Sequence, residues 1–377
     1  MLKTDLAILK NKDLDEVREI FAPYTSRVYL VGGCVRDAFL GIKSSDYDIE
    51  VYDVDYEKFT NLMSEINATG AGKSYFVYKY KNYDIALPRT ETKTGNRHQD
   101  FSVSYTNDEQ TASKRRDFSM NALMLNIYSG KLLDFWGGLN AIKERKITHI
   151  DSQKFCEDSL RVLRGVQFSA RFDFDISNST LKLMQTLSLQ NLSQDRIASE
   201  LIKLFHAKNI EKGVLYLHKL GLIKTLFKAE ISYENLDVFL KKLKNARKFI
   251  KDKHLFLYLF CNHFKLNFKE ISTNLKLPKS YENLANEVYF DTKPNDSELL
   301  KIAIKKPLNA WLGLNTSDLI SRAKQLGVYD KKFKIQIDMS QIKGLKGKEI
   351  SDKIKSIQEQ KIDEFLANLK PLKVDFS

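Results

Sequence analysis

The stretch YLVGGCVRDAFLGIKSSDYDIEVY (residues 29–52) decides how this chain folds. A β-branched run stops at Gly32 and Gly33, helical spacing follows, and polar and apolar residues then alternate to the end of the stretch. This pattern predicts a strand, a helix and a half-buried strand in direct succession. Because glycine lacks a Cβ atom, the backbone can approach an anion here, and the helix N-terminus and Arg36 supply positive potential. We therefore expect a phosphate-binding turn, with a plain turn as the structural alternative.

Two carboxylates follow this turn at close spacing. Asp46 comes ten residues after Arg36, and Asp48 comes two residues later, so both point to the same face of a strand. Two like charges so close together are unfavourable unless a cation lies between them. Carboxylate oxygens beside a phosphate favour magnesium among the divalent cations. We predict a magnesium site at Asp46 and Asp48, the expected catalytic residues, with a solvated acidic turn as the structural alternative.

Beyond this stretch the sequence pattern changes along the chain. Residues 75–87 predict one or two further strands, and the polar stretch 90–110 is expected to be a functional or mobile loop. The segment FSMNALMLNI (118–127) predicts a helix, and amphipathic helices with short polar breaks account for nearly everything after residue 177. The predicted fold class is α+β, with a small α/β domain in front of an all-helical remainder.

The composition is that of a globular chain with more than one domain. Of the 377 residues, 43% are hydrophobic and 29% charged, whereas single cores stop growing near ~250–300 residues. The longest apolar stretches are far short of the ~18–20 residues that a membrane helix needs, and the charged N-terminus lacks the apolar core of a signal peptide. Three cysteines without paired spacing predict neither a disulfide framework nor a zinc site. We expect no membrane association and a reducing, cytoplasmic location.

The charge is divided unevenly along the chain. Residues 1–200 hold 27 Lys/Arg and 28 Asp/Glu, whereas residues 201–377 hold 34 and 20, a net charge of +14. One interpretation is a proteome that is generally rich in lysine. The other is a polyanion-binding second half carried by a separate, nearly neutral domain. The composition alone leaves both open.

Further motifs continue the pattern of the opening stretch. They are GGCVRDAFLG (32–41) with DYD (46–48), RRDFSMNAL (115–123), DFWGGLNAI (134–142) and EDSLRVLRGVQFSARF (157–172). In the order and spacing of these motifs, the chain resembles the class II tRNA nucleotidyltransferases and poly(A) polymerases over roughly residues 26–205. The resemblance implies a nucleotidyltransferase head with a mixed β-sheet and helices, followed by an elongated all-α neck, body and tail.

The resemblance also implies domain boundaries. We expect an N-terminal helical segment at 1–25, a catalytic head at 26–140, a nucleotide-selecting neck at 141–205, and a tRNA-binding body and tail at 206–377.

The family's site roles carry over onto matching residues. Asp46 and Asp48 correspond to the magnesium-binding carboxylates that activate the RNA 3′-hydroxyl. The residues that correspond to nucleotide-binding positions are Gly32, Gly33, Arg36, Arg116, Asp117, Asn121, Asp158, Arg161 and Arg164. Asp158 and Arg161 are three residues apart, so on one helix face they can accept and donate hydrogen bonds in imitation of a base edge. A structural salt bridge between them is the alternative.

Some positions are less settled. Gln167 departs from the family, because many relatives carry an arginine there, which puts one contact to the triphosphate in doubt. A third carboxylate near the metal is either Asp84 or Asp117. Further residues that resemble family motifs are Arg89 and Glu91 in the polar loop, and Arg196 and Glu200 in a later helix.

The implied activity is template-independent addition of CCA to tRNA from CTP and ATP, with release of pyrophosphate. The basic second half would hold the tRNA acceptor end and elbow, and no obligate protein partner is evident. The alternatives are a poly(A) polymerase, a partial enzyme that adds only CC or only A, and a non-catalytic RNA-binding protein with a decayed head. No His-Asp doublet occurs in the sequence, which argues against an appended phosphohydrolase activity.

Overall fold

The computed structural model describes residues 7–70, 77–93 and 101–369. The chain divides into two compact units, Met1–Leu226 and Phe227–Ser377. The first unit contains a mixed β-sheet with helices, and residues 227–369 of the second contain helices and no strand. The predicted α+β fold class is therefore confirmed. Among the described residues, no helix combines the length and the apolar character needed to cross a bilayer.

The strands all lie in the first unit. They are β1 (Val28–Val31), β2 (Tyr47–Val51), β3 (Thr69–Gly70), β4 (Val77–Tyr80), β5 (Tyr83–Ala86), β6 (Arg89–Lys93), β7 (Phe101–Tyr105), β8 (Met124–Asn126), β9 (Leu132–Leu133), β10 (Lys146–Ile147) and β11 (Asp175–Ile176). Seven of them form one sheet in the order β3-β4-β5-β2-β1-β8-β9, while β6 pairs with β7 and β10 with β11. In the large sheet only β2 and β5 run parallel, and their register places Asp48 opposite Asp84.

The sheet is organised around β1, which is buried along its whole length. β2 pairs antiparallel on one side of it and β8 on the other, so its backbone groups have partners on both edges. Leu30 and Val28 join a core that includes Phe21 and Phe59 from two helices outside the sheet. This buried centre fixes the position of β2 and therefore where Asp48, near the start of that strand, lies.

The helices that begin in the first unit are α1 (Lys12–Phe21), α2 (Gly33–Phe39), α3 (Tyr56–Glu65), α4 (Glu109–Lys114), α5 (Gly138–Lys143), α6 (Ser152–Cys156), α7 (Leu160–Phe172), α8 (Asn178–Gln185), α9 (Gln194–Phe205), α10 (Ile210–Lys219) and α11 (Leu222–Phe227). Side-chain caps explain several of their starts, because an aspartate or serine oxygen accepts a bond from an N–H of the first turn. Asp108 caps α4 in this way, and Asp151 caps α6.

Two local predictions are wrong. The segment 118–127 is not a helix but a 3₁₀ turn at Ser119–Asn121 followed by β8. Every residue of this segment is buried, and periodicity cannot distinguish helix from strand in such a run. The polar stretch 90–110 is not a simple loop either, because its described residues include most of β6, all of β7 and the start of α4. Residues 94–100 of this stretch lie outside the described residues.

The helices of the second unit are α12 (Tyr233–Ala246), α13 (Leu255–His263), α14 (Phe268–Asn274), α15 (Lys279–Glu282), α16 (Asp296–Lys305), α17 (Ser317–Gln325) and α18 (Lys348–Ala367). Helix α13 is buried from Leu255 to Cys261, and its Phe256 and Phe260 rings meet Phe239 of α12 edge to face. A separate apolar cluster surrounds Trp311 and helix α16. The unit carries 29 Lys/Arg and 19 Asp/Glu, so it holds most of the chain's net positive charge of +13. The predicted functional boundaries at residues 25, 140 and 205 stay predictions.

Candidate active site

A cavity of about 440 Å³ lies in the first unit between the start of β2, the turn after α4, and helices α7 and α9. Eight cationic and three acidic side chains line it. The lining residues are Gly33, Arg36, Asp48, Arg115, Arg116, Asp117, Asn121, Asp158, Leu160, Arg161, Arg164, Gln167, Phe168, Arg171, Arg196 and Lys203. This excess of cations suits a polyanionic ligand such as a nucleoside triphosphate.

The glycine turn brings backbone close to this cavity. Gly32 has φ +75°, a left-handed conformation that favours glycine, and a Cβ there would lie 2.5 Å from Nη1 of Arg116. Gly33 has ordinary φ, and a Cβ there would make only ordinary contacts with Arg36. Both the backbone conformation and the contact with Arg116 therefore require glycine at position 32. At position 33 neither of these constraints excludes a larger side chain.

The catalytic carboxylates predicted from the sequence lie at the start of β2. Asp48 lines the cavity, and its register partner across the parallel pair is Asp84. The pKa of Asp48 is raised, mainly because surrounding protein atoms displace water from it; Arg116 opposes the rise, and Asp84 adds to it. Asp46 precedes the strand, outside the cavity wall, with Oδ2 3.4 Å from the hydroxyl of Ser45.

These carboxylates fit a divalent metal ion. Asp48 and Asp84 are like charges held side by side by the sheet, and Asp46 stands two residues before Asp48. Among the described residues, no group of three or more His, Cys, Asp or Glu side chains is placed to hold a metal together. Magnesium is usually bound through a few carboxylates, with phosphate and water at the remaining positions. The family that the sequence motifs resemble generally uses a divalent metal.

Of the two rivals for a third carboxylate, the geometry favours Asp84. Oδ1 of Asp117 accepts bonds from the amide of Phe118 (2.8 Å) and from Nδ2 of Asn121 (2.9 Å). Its Oδ2 accepts from Nε of Arg164 at 2.6 Å. Burial opposes ionisation of Asp117, but Arg164 and Asn121 outweigh it and hold the pKa below its usual range. Asp117 is therefore an anionic anchor for Arg164.

Arg36 is more enclosed than the sequence suggests. Its guanidinium donates to Oδ1 of Asp37 at 2.6 and 2.8 Å and to Oδ1 of Asn121 at 2.5 Å. It also lies over the rings of Phe168 and Phe172, at 5.1 and 4.5 Å from their centroids. Arg36 thus joins α2 to α7 while still lining the cavity.

Asp158 and Arg161 do not pair with each other. Asp158 lies before α7, and its Oδ2 accepts from Nη2 of Arg196 on α9 at 2.8 Å. Arg161 donates from Nη1 to the carbonyl of Lys154 (2.8 Å) and from Nη2 to the carbonyl of Arg115 (2.6 Å). The local salt bridge, which was the structural alternative, is not formed. Both side chains are fixed in the cavity wall by partners from other elements, and both keep hydrogen-bonding capacity for a ligand.

Several buried polar atoms at this cavity have no hydrogen-bond partner among the described residues. They include Oε1 of Gln167, Nε of Arg116 and Nη1 of Arg196. Unpaired buried polar groups are costly, and such groups collected around one cavity indicate a polar ligand that would satisfy them. Gln167, at the position where many relatives carry an arginine, thus places a polar but uncharged side chain in the cavity wall.

A second, smaller cavity of about 240 Å³ adjoins the first. It shares Asp48, Arg115 and Arg116 with the larger cavity and is also lined by Glu50 and Asp84. The two cavities therefore meet at the same carboxylate and the same two arginines.

Most of the site residues predicted from the sequence lie together in the structure. Nine of the eleven predicted residues line the larger cavity; Gly32 adjoins it through Arg116, and Asp46 lies outside its wall. Their roles stay predictions. The sequence reading missed Arg171, although it shares a face of α7 with Arg161, and it missed Glu50, although it continues the two-residue spacing of the carboxylates. For Lys203 on α9 and for Arg115, no comparable spacing in the sequence indicated a place in the cavity.

Comparisons with known proteins agree with this geometry. Residues 28–148 match the family model of the poly A polymerase head domain, and residues 173–232 match that of a probable RNA and SrmB-binding site of polymerase A. The CCA-adding enzyme of Lactococcus lactis subsp. lactis (strain IL1403) is 33% identical over 210 residues, which are 52% of each chain. The chain thus spans about half the length of the curated relatives it matches.

Solved structures share the fold over nearly the whole chain. The CCA-adding enzyme of Bacillus stearothermophilus in complex with CTP gives a TM-score of 0.69 at 19% identity, covering 94% of both chains. The Thermotoga maritima CCA-adding enzyme complexed with tRNA gives 0.65 at 21% identity, covering 97% of this chain and 99% of that one. The matched head domain, the sequence relatives and the shared fold agree in what this chain is similar to: CCA-adding enzymes and the head domain of poly(A) polymerases.

Proposed function

We propose that this protein is a template-independent tRNA nucleotidyltransferase that adds or repairs the 3′-terminal CCA, using CTP and ATP and releasing pyrophosphate. The observation that carries the proposal is one cavity in which eight cationic side chains, Arg161 among them, line the same wall as Asp48 and Asp158. The relatives named CCA-adding enzyme, and the solved neighbours bound to CTP and to tRNA, support the same activity.

In the proposed reaction the RNA 3′-hydroxyl attacks the α-phosphate of the bound nucleotide, and pyrophosphate leaves. The cationic wall binds the triphosphate and stabilises the charge that develops on the leaving group, because fixed cations need no reorganisation during the step. Arg164 is held for this task by Asp117, and Arg116 by Glu50. We propose Mg²⁺ at Asp46 and Asp48; when bound, it would lower the pKa of the attacking hydroxyl and neutralise phosphate charge.

Base selection is proposed for Asp158 and Arg161. The carboxylate accepts and the guanidinium donates, and both face the cavity from fixed positions. A pair of this kind distinguishes bases by their hydrogen-bonding edges without a nucleic-acid template.

We propose that the basic second unit binds tRNA at its acceptor end and elbow. Its 29 Lys/Arg exceed its Asp/Glu by ten, and phosphate contacts to an RNA helix depend on shape more than on sequence. The roles of the predicted head, neck, body and tail belong to this proposal, as does a cytoplasmic location.

The test uses purified protein, magnesium and three tRNA transcripts that end before CCA, after C and after CC. Each is incubated with labelled CTP, ATP or both, and the products are resolved at single-nucleotide resolution. Ordered addition of C, C and A that then stops is the expected result. Extension by CC only or by A only would indicate a divided pathway, and long adenylate tails on any RNA would indicate a poly(A) polymerase.

Asp46→Ala and Asp48→Ala should each abolish incorporation while tRNA affinity stays near wild type. Glu65→Ala is the matched control, because it removes an exposed carboxylate of the same unit at the end of α3. Removal of divalent metal by a chelator should stop the wild-type reaction, and added Mg²⁺ should restore it. A wild-type protein that binds tRNA but incorporates no nucleotide would contradict the proposal.

A further inference from the structure

Glu50 is a buried carboxylate to which the proposed reaction assigns no contact with a substrate. Its side chain is 3% exposed, on β2 two residues after Asp48. Oε1 accepts from Nη2 of Arg115 and from Nη2 of Arg116, at 3.0 Å each. Oε2 accepts from the hydroxyl of Tyr52 at 3.0 Å. Burying a charge is unfavourable unless the charge is paired and hydrogen-bonded. The buried carboxylate of Glu50 therefore depends on these partners.

The two arginines that Glu50 holds are the ones shared by the two cavities. A single oxygen of Glu50 accepts from both guanidinium groups. Arg116 also lies against the glycine turn, since Nη1 occupies the space that a Cβ of Gly32 would need. Glu50 therefore holds both cations beside Asp48.

A second connection leads from Glu50 to base selection. The main-chain carbonyl of Arg115, whose side chain Glu50 holds, accepts from Nη2 of Arg161 at 2.6 Å. Nη1 of Arg161 donates to the carbonyl of Lys154 at 2.8 Å. The orientation of Arg161 thus depends on where the backbone at Arg115 lies.

We propose that Glu50 is a positioning residue that sets the cations for the triphosphate and, through Arg115, the orientation of the base-selecting Arg161. It couples the strand of the catalytic carboxylates to nucleotide choice. The inference deepens the proposed function and rests on it.

Glu50→Gln tests the coupling, because it keeps the shape of the side chain and removes the charge. Single CMP addition to a tRNA transcript ending before CCA is measured at varied CTP, at varied UTP and at varied tRNA. We expect KM for CTP to rise about tenfold, the size expected when a charge-assisted hydrogen bond is weakened. The ratio of kcat/KM for CTP to that for UTP should fall several-fold, and KM for tRNA should stay unchanged.

Glu109→Gln, at the start of α4, is a matched control in the same unit. Glu109 accepts from Nε and Nη2 of Arg27 at 2.9 and 2.7 Å and from the hydroxyl of Tyr29 at 3.0 Å, so it too is held by an arginine and a tyrosine. It lines neither cavity. Both variants lose an ion pair, so the melting temperature of each should fall. Only Glu50→Gln should also change KM for CTP and the discrimination against UTP.

A folded Glu50→Gln protein with wild-type KM and wild-type discrimination would overturn the inference, as would equal effects of Glu109→Gln. If Glu50→Gln is not recovered folded, Glu50→Asp replaces it: it keeps the charge but withdraws it by one methylene, and the same rise in KM is expected. Equilibrium binding of CTP is measured on every variant. A wild-type protein without incorporation defeats the proposed function, and the Glu50 inference is then decided by whether Glu50→Gln weakens CTP binding relative to Glu109→Gln.

Discussion

At the scale of single residues, Gly32 combines a left-handed backbone with a close contact to Arg116. Gly32→Ala should lower the free energy of unfolding by about 1–2 kcal/mol through the backbone alone, and it should also displace the Arg116 guanidinium. Because Arg116 lies beside Asp48 and is held by Glu50, its displacement should raise KM for CTP. Thermal unfolding and single-nucleotide addition kinetics measure the two effects.

Gly41 is the control for this prediction. It also has a left-handed backbone, φ +69°, but a Cβ there would meet no atom within 4 Å. Gly41→Ala should therefore show the backbone cost and leave KM for CTP unchanged. If Gly32→Ala and Gly41→Ala change KM equally, the contact between Gly32 and Arg116 has no role in nucleotide binding.

At the scale of elements, the cavity depends on how α7, α9 and α10 pack, because α7 and α9 together carry eight of its lining residues. Gly213 on α10 permits this packing: a Cβ there would lie 2.4 Å from Cδ1 of Leu204 and 2.9 Å from Cβ of Ala170. Gly213→Ala should lower the free energy of unfolding by about 1–2 kcal/mol, since the cost of overpacking exceeds the gain in helix propensity. Urea unfolding followed by circular dichroism measures the change.

Gly165 on α7 provides the comparison. A Cβ at Gly165 would meet Cε of Met184, the far end of a flexible side chain, at 2.2 Å. Because this methionine can change rotamer, Gly165→Ala should cost less stability than Gly213→Ala. The reverse order, or a Gly213→Ala protein more stable than wild type, would contradict the packing argument.

At the scale of the whole molecule, positive charge is concentrated in the second unit, and its densest run is KKLKNARKFIKDK at 241–253, with seven Lys/Arg. Binding that neutralises phosphates releases counterions, so log affinity for tRNA should fall linearly with log salt. Lys244 and Lys248 are exposed in this run. Replacing both by glutamine should reduce the magnitude of that slope by about 1–2 if both contact phosphates. Filter binding at several salt concentrations provides the measurement.

Lys131→Gln with Lys143→Gln is the matched control, because these lysines are exposed in the first unit and the change in net charge is identical. The salt slope should stay at its wild-type value in this control. An equal reduction in both double variants would mean that net charge, and not the basic run at 241–253, determines tRNA binding.

Features that depend on near neighbours in the chain could be predicted from the sequence. Strand, glycine turn and helix, the carboxylates at Asp46 and Asp48, and the basic second half all follow from spacing, residue type and composition. The family motifs added most of the residues that line the cavity. The helix predicted for 118–127 was wrong because every residue there is buried. Without an exposed face, hydrophobic periodicity cannot distinguish a helix from a strand.

Which charges pair depends on how separate elements pack in the folded chain. Asp158 binds Arg196, 38 positions away, and not the nearby Arg161; Glu50 binds Arg116, 66 positions away. Sequence spacing within a helix predicts contacts only three or four residues apart. Partners brought together by the packing of separate elements leave no such local signal, so the ion pairs that orient this site could be known only from the fold.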